Sequence, residues 1–84
     1  MKYPSMIKAY ILITTYVGNL KAVLDEMRKL RDVESIAVVA GDYDIIIKAR
    51  VNNLEELMEL TDQIHSIKGV KRTNTQVIEK EIEA

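Results

Sequence analysis

Cysteine, tryptophan and phenylalanine are absent from the chain, and histidine and proline occur once each. Without cysteine, neither disulfides nor thiolate metal ligands can form. A lone histidine, His65, supplies no catalytic constellation, and the sequence has no glycine-rich phosphate loop, zinc motif or nucleophile elbow. Phe and Trp are absent, and the four tyrosines do not fall into the pair of strand motifs with which RNA-recognition sheets stack bases. We therefore predict a protein that is not an enzyme, with no catalytic residues, metal site or cofactor.

The chain also lacks an excess of either positive or negative charge. Lysine and arginine total 12 against 13 aspartates and glutamates, for a net charge of -1. This balance gives no electrostatic footprint for nucleic acid or for an anionic membrane surface. No apolar run approaches the roughly 20 residues that cross a bilayer, and the N-terminus lacks the apolar stretch of a signal peptide. We expect a cytoplasmic protein that binds neither DNA nor membranes directly.

Two hydrophobic periods alternate along the chain. Strand-like stretches occupy residues 6–15, 33–40, 44–51 and 70–82, and helical stretches occupy residues 18–32 and 52–69. The order strand, helix, strand, strand, helix, strand is the βαββαβ, or ferredoxin-like, arrangement. It predicts one α+β domain over residues 1–84, with two helices on one face of a four-stranded antiparallel sheet. The predicted spatial order of the strands is fourth, first, third, second.

The sheet face that the helices leave uncovered is predicted to be apolar. Whichever alternate set of the first strand faces outward, it exposes either Tyr10 and Leu12 or Ile11 and Ile13. An apolar face of this size marks a protein interface, and a domain of 84 residues without covalent cross-links has a marginal core of its own. We therefore predict a homodimer in which two sheets pack face to face as an α+β sandwich.

Two short motifs remain as candidates for a binding site. The first is the turn Gly41–Asp44, and the second is Thr73 and Thr75, whose hydroxyls lie on one strand face at period two. Aspartates and loop carbonyls can accept from the ammonium of a free amino acid, while loop N–H groups and hydroxyls can donate to its carboxylate. Asp44, where the loop enters a strand, is the expected ammonium acceptor. In the predicted strand order the turn and the last strand lie apart, so a shared site is expected to require a second subunit.

The layout and these motifs resemble the RAM domain of the Lrp/AsnC family of regulators of amino-acid metabolism. The resemblance covers "VVAGDYDIIIKARV", "NNLEELMEL" and "GVKRTNTQVI", and extends over most of the chain. It implies an amino-acid effector, homodimers that assemble into a higher, octamer-like ring, and a site between dimers. The implied effector-binding residues are Val38, Gly41, Asp42, Tyr43, Asp44, Leu54, Thr73, Thr75 and Gln76. Most of the family carries a DNA-binding helix-turn-helix before this domain. The first predicted strand begins almost at Met1, so we expect a stand-alone domain that modulates full-length relatives by mixed assembly.

Two other interpretations remain open on the sequence. Dimeric α+β barrel monooxygenase-like enzymes share the architecture, although they require polar, aromatic and often histidine residues inside a pocket. The ACT-like domain is a second amino-acid-binding regulatory domain of this fold, and it binds its ligand near the first strand–helix turn, here "TYVGNL".

Overall fold

The computed structural model describes residues 6–84; residues 1–5 of the predicted domain lie outside the described residues. The elements are β1 (Ile7–Thr15), α1 (Leu20–Met27), β2 (Val33–Val38), β3 (Ile45–Val51), α2 (Leu54–His65) and β4 (Val70–Val77). Their order confirms the predicted ferredoxin-like α+β fold. All strand pairs are antiparallel, and the sheet order β2-β3-β1-β4 is the predicted one.

The hydrophobic core lies between the sheet and the helices. Ala9, Ile11 and Ile13 of β1 are fully buried, as their period of two predicts. They join residues of β3, of both helices and of the start of β4 in one cluster: Ile45, Ile47, Ala49, Val51, Val23, Met27, Leu57, Leu60, Ile64 and Val70. The burial of this set decides which residues face away from the helices. Tyr10 and Leu12 of β1 and Ile46 and Lys48 of β3 define what we call the outer face of the sheet.

The first helix is shorter than predicted for residues 18–32, because α1 ends at Met27. After it, the N–H groups of Lys29 and Leu30 donate to carbonyls three residues earlier, which tightens the last turn. Asp32 then adopts the left-handed region at φ 66°, which aspartate tolerates better than most residues. β2 begins at the next residue, Val33.

The second helix begins with two reciprocal hydrogen bonds. The side chain of Asn53 accepts from the backbone N–H of Glu56, and the carboxylate of Glu56 accepts from the N–H of Asn52, both at 2.9 Å. They satisfy N–H groups that a helix start leaves without partners, in the manner of a capping box. Asn53 is thus the N-cap residue that fixes where α2 begins.

Gly69 allows the connection from α2 to β4 to pack closely against the start of α1. Its φ is 104°, and a Cβ there would lie 2.8 Å from Asn19 Cβ and 2.9 Å from Val23 Cγ2. The carbonyl of Gly69 accepts from the N–H of Tyr16 at 2.9 Å. The segment after β1 and the segment before β4 are therefore held together at one end of the sheet.

The opposite end of the sheet carries the beginning of β1 and the end of β4. Ala9 pairs with Val77, and the N–H of Ile78 donates to the carbonyl of Lys8 at 2.9 Å. The two outermost ends of the folded domain are therefore neighbours, and both lie away from the turn between β2 and β3.

Candidate functional site

The turn between β2 and β3 lies at the end of the sheet where β1 ends and β4 begins. Its last residue, Asp44, donates its N–H to the carbonyl of Ile13 at 2.9 Å. The connections 16–19 and 66–69 meet at the same end, joined by the Tyr16–Gly69 hydrogen bond. Two other connections of the fold therefore lie at the same end of the sheet as the candidate turn.

The carboxylate of Asp44 fastens the turn to the end of β1. Its Oδ2 atom accepts from the backbone N–H of Thr15 at 2.7 Å and from the Thr15 hydroxyl at 3.2 Å. The Asp44 carbonyl also accepts from the N–H of Val39 at 2.9 Å, which closes the turn. Sequence reasoning assigned this carboxylate to a ligand ammonium and missed its role as a clamp. A carboxylate has about four acceptor positions, so the clamp occupies part of its capacity.

The tip of the turn is exposed. Gly41 has a φ of 154°, and a Cβ there would meet no atom within 4 Å. Backbone conformation rather than crowding therefore favours glycine at this position. Asp42, next to it, is also exposed. The tip thus presents a carboxylate and accessible backbone beside a base that Asp44 holds in place.

The turn also reaches the last strand of the same chain. The Tyr43 hydroxyl accepts from Asn74 Nδ2 at 3.3 Å, and Asn74 Oδ1 accepts from Gln76 Nε2 at 2.6 Å. The prediction that the turn and the last strand lie apart is therefore wrong at Tyr43 and Asn74, whereas a site shared between the turn and the two threonines across subunits stays a prediction. Only β1 separates β3 from β4, so their axes are roughly 10 Å apart, and the long Tyr43 side chain crosses that gap.

The polar residues of β4 divide between the two faces of the sheet. Thr73 and Thr75 pair with the buried Ile13 and Ile11, so their side chains share the face on which the helices pack. This confirms the prediction that they lie on one face. Gln76 instead pairs with Tyr10 and belongs to the outer face. Within one protomer, Gln76 therefore cannot contact a ligand that both threonine hydroxyls hold.

The two apolar candidates lie at opposite ends of the domain. Val38 ends β2 beside the turn and is 55% exposed, whereas Leu54 begins α2 and is 57% exposed. The seven residues of β3 separate these ends by about 20 Å. Leu54 and the turn of one protomer therefore lie too far apart for one small ligand, and could share a site only across a subunit boundary.

A charge cluster that the sequence did not reveal lies on the outer face. Glu81 accepts from Lys8 at 3.4 Å and from Lys48 at 2.5 Å, and Glu34 lies 3.9 Å from Lys48 and 3.7 Å from Arg50. The hydrogen bond from Lys48 lowers the pKa of the Glu81 carboxyl, and the same bond raises the pKa of the Lys48 ammonium. The chain beyond β4 thus folds back over one end of the outer face.

A groove with a volume of about 1210 Å³ lies between α1 and α2. Its charged lining residues are of both signs: Glu26, Glu56, Glu59, Lys29, Arg31, Asp32 and Lys68.

No polar or charged residue in the described part of the chain is fully buried. No group of three or more His, Asp or Glu side chains there could hold a metal ion. None of the helices described is long and apolar enough to cross a membrane.

The chain is similar in sequence to proteins named as HTH-type transcriptional regulators. A regulator from Pyrococcus furiosus, the HTH-type transcriptional regulator FL11, is 35% identical over 74 residues, which are 88% of this chain and 49% of that protein. The chain spans about half the length of the curated regulators that it matches. A homocitrate synthase from Sulfolobus acidocaldarius is 34% identical over 53 residues, which are 63% of this chain but 11% of the enzyme.

Solved structures share the architecture over most of the chain. TTHA0845 from Thermus thermophilus superposes with a TM-score of 0.86 at 29% identity, and the match covers 93% of this chain and 99% of that one. The transcriptional regulator NMB0573 from Neisseria meningitidis, solved as an L-Met complex, gives a TM-score of 0.85 at 20% identity. That match covers 93% of this chain and 53% of the regulator, and at this identity it shows the fold alone.

The family model described as the Lrp/AsnC ligand binding domain matches residues 8–83. The match includes both helices, almost all of β1 and the other three strands, and therefore the turn, the clamp at Asp44 and the polar residues of β4. The chain belongs to the Lrp/AsnC ligand-binding domain family.

Proposed function

We propose that this domain senses an amino acid through its β2–β3 turn and transmits the signal through self-assembly. The observation that carries the proposal is the geometry of the turn in a domain of this family. Asp44 fixes its base to β1, while Gly41 and Asp42 stay exposed at its tip. We place its action in the cytoplasm, because the matching relatives are named as regulators of transcription.

Asp42 is the carboxylate that we assign to the ammonium group of the effector. Asp44 already accepts two hydrogen bonds from Thr15, whereas Asp42 is exposed at the tip. Backbone N–H groups near Gly41 are suited to the effector carboxylate, because a glycine lets the backbone approach a ligand closely. In this assignment Asp44 acts mainly by holding the turn, and its remaining acceptor positions lie next to the bound ammonium.

Thr73 and Thr75 complete the site from a neighbouring subunit. Both are half-buried on the edge strand β4, on the side of the sheet where the helices lie. Their hydroxyls can donate to the effector carboxylate. Within a protomer the Tyr43 side chain reaches the outer face of β4, whereas the two hydroxyls lie on the other face. We therefore place the turn and the two hydroxyls of one site on different subunits. Val38 and Leu54 also come from different protomers, because about 20 Å separate them within one.

Assembly begins with a dimer through the outer face. Tyr10 is 40% exposed, and Leu12 and Ile46 lie beside it in the middle of that face. Burying such side chains stabilises association by about 25 cal/mol per Å² of apolar surface, before the entropic cost of association. The higher, ring-like oligomer then forms when the turn of one dimer packs against the β4 edge of the next. Full-length regulators of about twice the length offer the same domain, so mixed assembly with them would carry the signal to DNA.

In this proposal the domain has no catalytic role. The homocitrate synthase match involves 11% of that enzyme, and the family model describes a ligand-binding domain. The comparisons give no support to the monooxygenase-like or ACT-like interpretations. The L-Met complex of the Neisseria meningitidis regulator supports the proposal, because a protein of this fold was solved there with an amino acid.

The test is isothermal titration calorimetry of dialysed protein against each of the common amino acids, with sedimentation velocity in parallel. We expect one or a few of them to bind and to shift the balance between dimer and higher oligomer, since binding and assembly are linked. Asp42→Asn should weaken binding, whereas Asp25→Asn, an exposed carboxylate on α1, should leave it unchanged. Wild-type protein that binds no amino acid would overturn the proposed function.

A further inference from the structure

Asn74 lies between the two threonines of β4 but points to the other face of the sheet. Its Cα partner is Leu12, a residue of the outer face, whereas Thr73 and Thr75 pair with buried isoleucines. Asn74 therefore cannot contact an effector that the two hydroxyls hold. It contacts Tyr43 instead, a residue of the turn Gly41–Asp44, which we call the effector turn.

The amide of Asn74 has a defined orientation. Its oxygen accepts from Gln76 Nε2 at 2.6 Å, so its Nδ2 group is left to donate to the Tyr43 hydroxyl at 3.3 Å. The three side chains form a polar row on the outer face, from the turn to the residue that pairs with Tyr10. Asp44 fixes the base of the turn to β1, and this row fixes the turn sideways to β4.

We propose that Asn74 is a positioning residue for the effector turn: it holds Tyr43, and through Tyr43 the adjacent Asp42, in the binding geometry without touching the effector. This inference rests on the proposed function, because it concerns the same turn. It also places one anchor of the effector site on the face that we assign to the dimer. Occupancy of the turn and packing of the outer face would therefore affect each other through Tyr43, Asn74 and Gln76.

Three single variants, one double variant and a control separate positioning from general damage. Tyr43→Phe removes only the hydroxyl, and Asn74→Leu removes the donor while keeping a similar volume. Each should weaken effector affinity about 2- to 10-fold, the change expected from one neutral hydrogen bond. The double variant should bind no more weakly than either single one. Asn74→Asp should bind the effector about as tightly as wild type does, because the tyrosine hydroxyl can donate to the new carboxylate. Tyr16→Phe is the matched control, since Tyr16 is 54% exposed at the same end of the sheet.

Calorimetry with the amino acid that wild type binds best measures these affinities, and hydrogen exchange at the N–H groups of Asp44 and Val39 measures opening of the turn. Equal affinity for wild type, Tyr43→Phe and Asn74→Leu would overturn the inference and leave the proposed function standing. If wild type binds no amino acid, the proposed function fails and exchange alone decides the positioning role. An exchange rate in Asn74→Leu that rises about 2- to 10-fold then supports the anchor, and an unchanged rate rejects it.

Discussion

Replacing Asp44 tests whether its carboxylate is mainly a clamp or mainly a ligand contact. Asp44→Ala removes two hydrogen bonds to a charged group, at 2.7 and 3.2 Å to Thr15, in a half-buried site. Hydrogen bonds of this type are worth about 1.5–3 kcal/mol each. The second bond is long and water can reach the site, so we expect a total loss of about 2–4 kcal/mol in the free energy of unfolding. That is a large share of the roughly 5–15 kcal/mol that stabilises a typical domain.

Two further substitutions divide this loss between its parts. Thr15→Val keeps the shape of the side chain and removes only the 3.2 Å bond, so it should cost about 0.5–1.5 kcal/mol. Asp42→Ala changes an exposed carboxylate in the same turn and should stay within about 0.5 kcal/mol of wild type.

Urea unfolding, followed by circular dichroism at one fixed protein concentration, measures these differences, because the stability of an oligomer depends on concentration. A loss for Asp44→Ala that is no larger than the loss for Asp42→Ala would refute the clamp. In that case the carboxylate of Asp44 would be available to the effector, as the sequence alone suggested.

Three other predictions follow from packing, exposure and charge. Gly69→Ala should lower the unfolding temperature more than Gly18→Ala. Both glycines have positive φ, but only at Gly69 would a Cβ lie 2.8 Å from Asn19, the residue that precedes α1. Equal losses in unfolding temperature would contradict this packing. Tyr10→Lys should give monomers in sedimentation velocity, whereas Val17→Lys, at a fully exposed loop tip, should not; a compact wild-type monomer would refute the dimer. Because the folded-state pKa of Glu81 is lowered, its ion pairs contribute stability at neutral pH that is lost as pH falls through that pKa, below 4.5. The difference in urea midpoint between wild type and Glu81→Gln should therefore shrink in acid, and a constant difference from neutral to strongly acidic pH would count against the ion pairs.

Local patterns were sufficient to predict the fold. The alternation of Ala9, Ile11 and Ile13, the helical stripe of α2 and the glycine turn determine the elements and their order, because each signal lies within a few neighbouring residues. The end of α1 was misjudged, since Leu30 continues the apolar stripe although the chain has already left the helix. Which alternate set of β1 is buried had to be observed in the structure, because both sets contain large apolar residues.

The candidate site was only partly predictable, because its contacts join residues that are far apart in sequence. Asn74 and Tyr43 are separated by 31 positions, and Glu81 and Lys8 by 73. An aspartate beside the start of a strand suits a ligand contact and a backbone clamp equally well, so composition could not distinguish the two roles of Asp44. The separation of Gln76 from Thr73 and Thr75 follows from strand alternation, and it could have been predicted from spacing alone.

The pairing of Ala9 with Val77 has a practical consequence for engineering this domain. The start of β1 and the end of β4 are adjacent strand ends, about 5 Å apart across the sheet. A fluorophore, an affinity tag or a second domain attached before β1 or after β4 would join the fold at the end of the sheet opposite the turn. A short linker could also join these two ends and allow new termini to be opened in the connection between α1 and β2. Such a circular permutant would leave the turn, its clamp on β1 and its anchor on β4 in continuous segments.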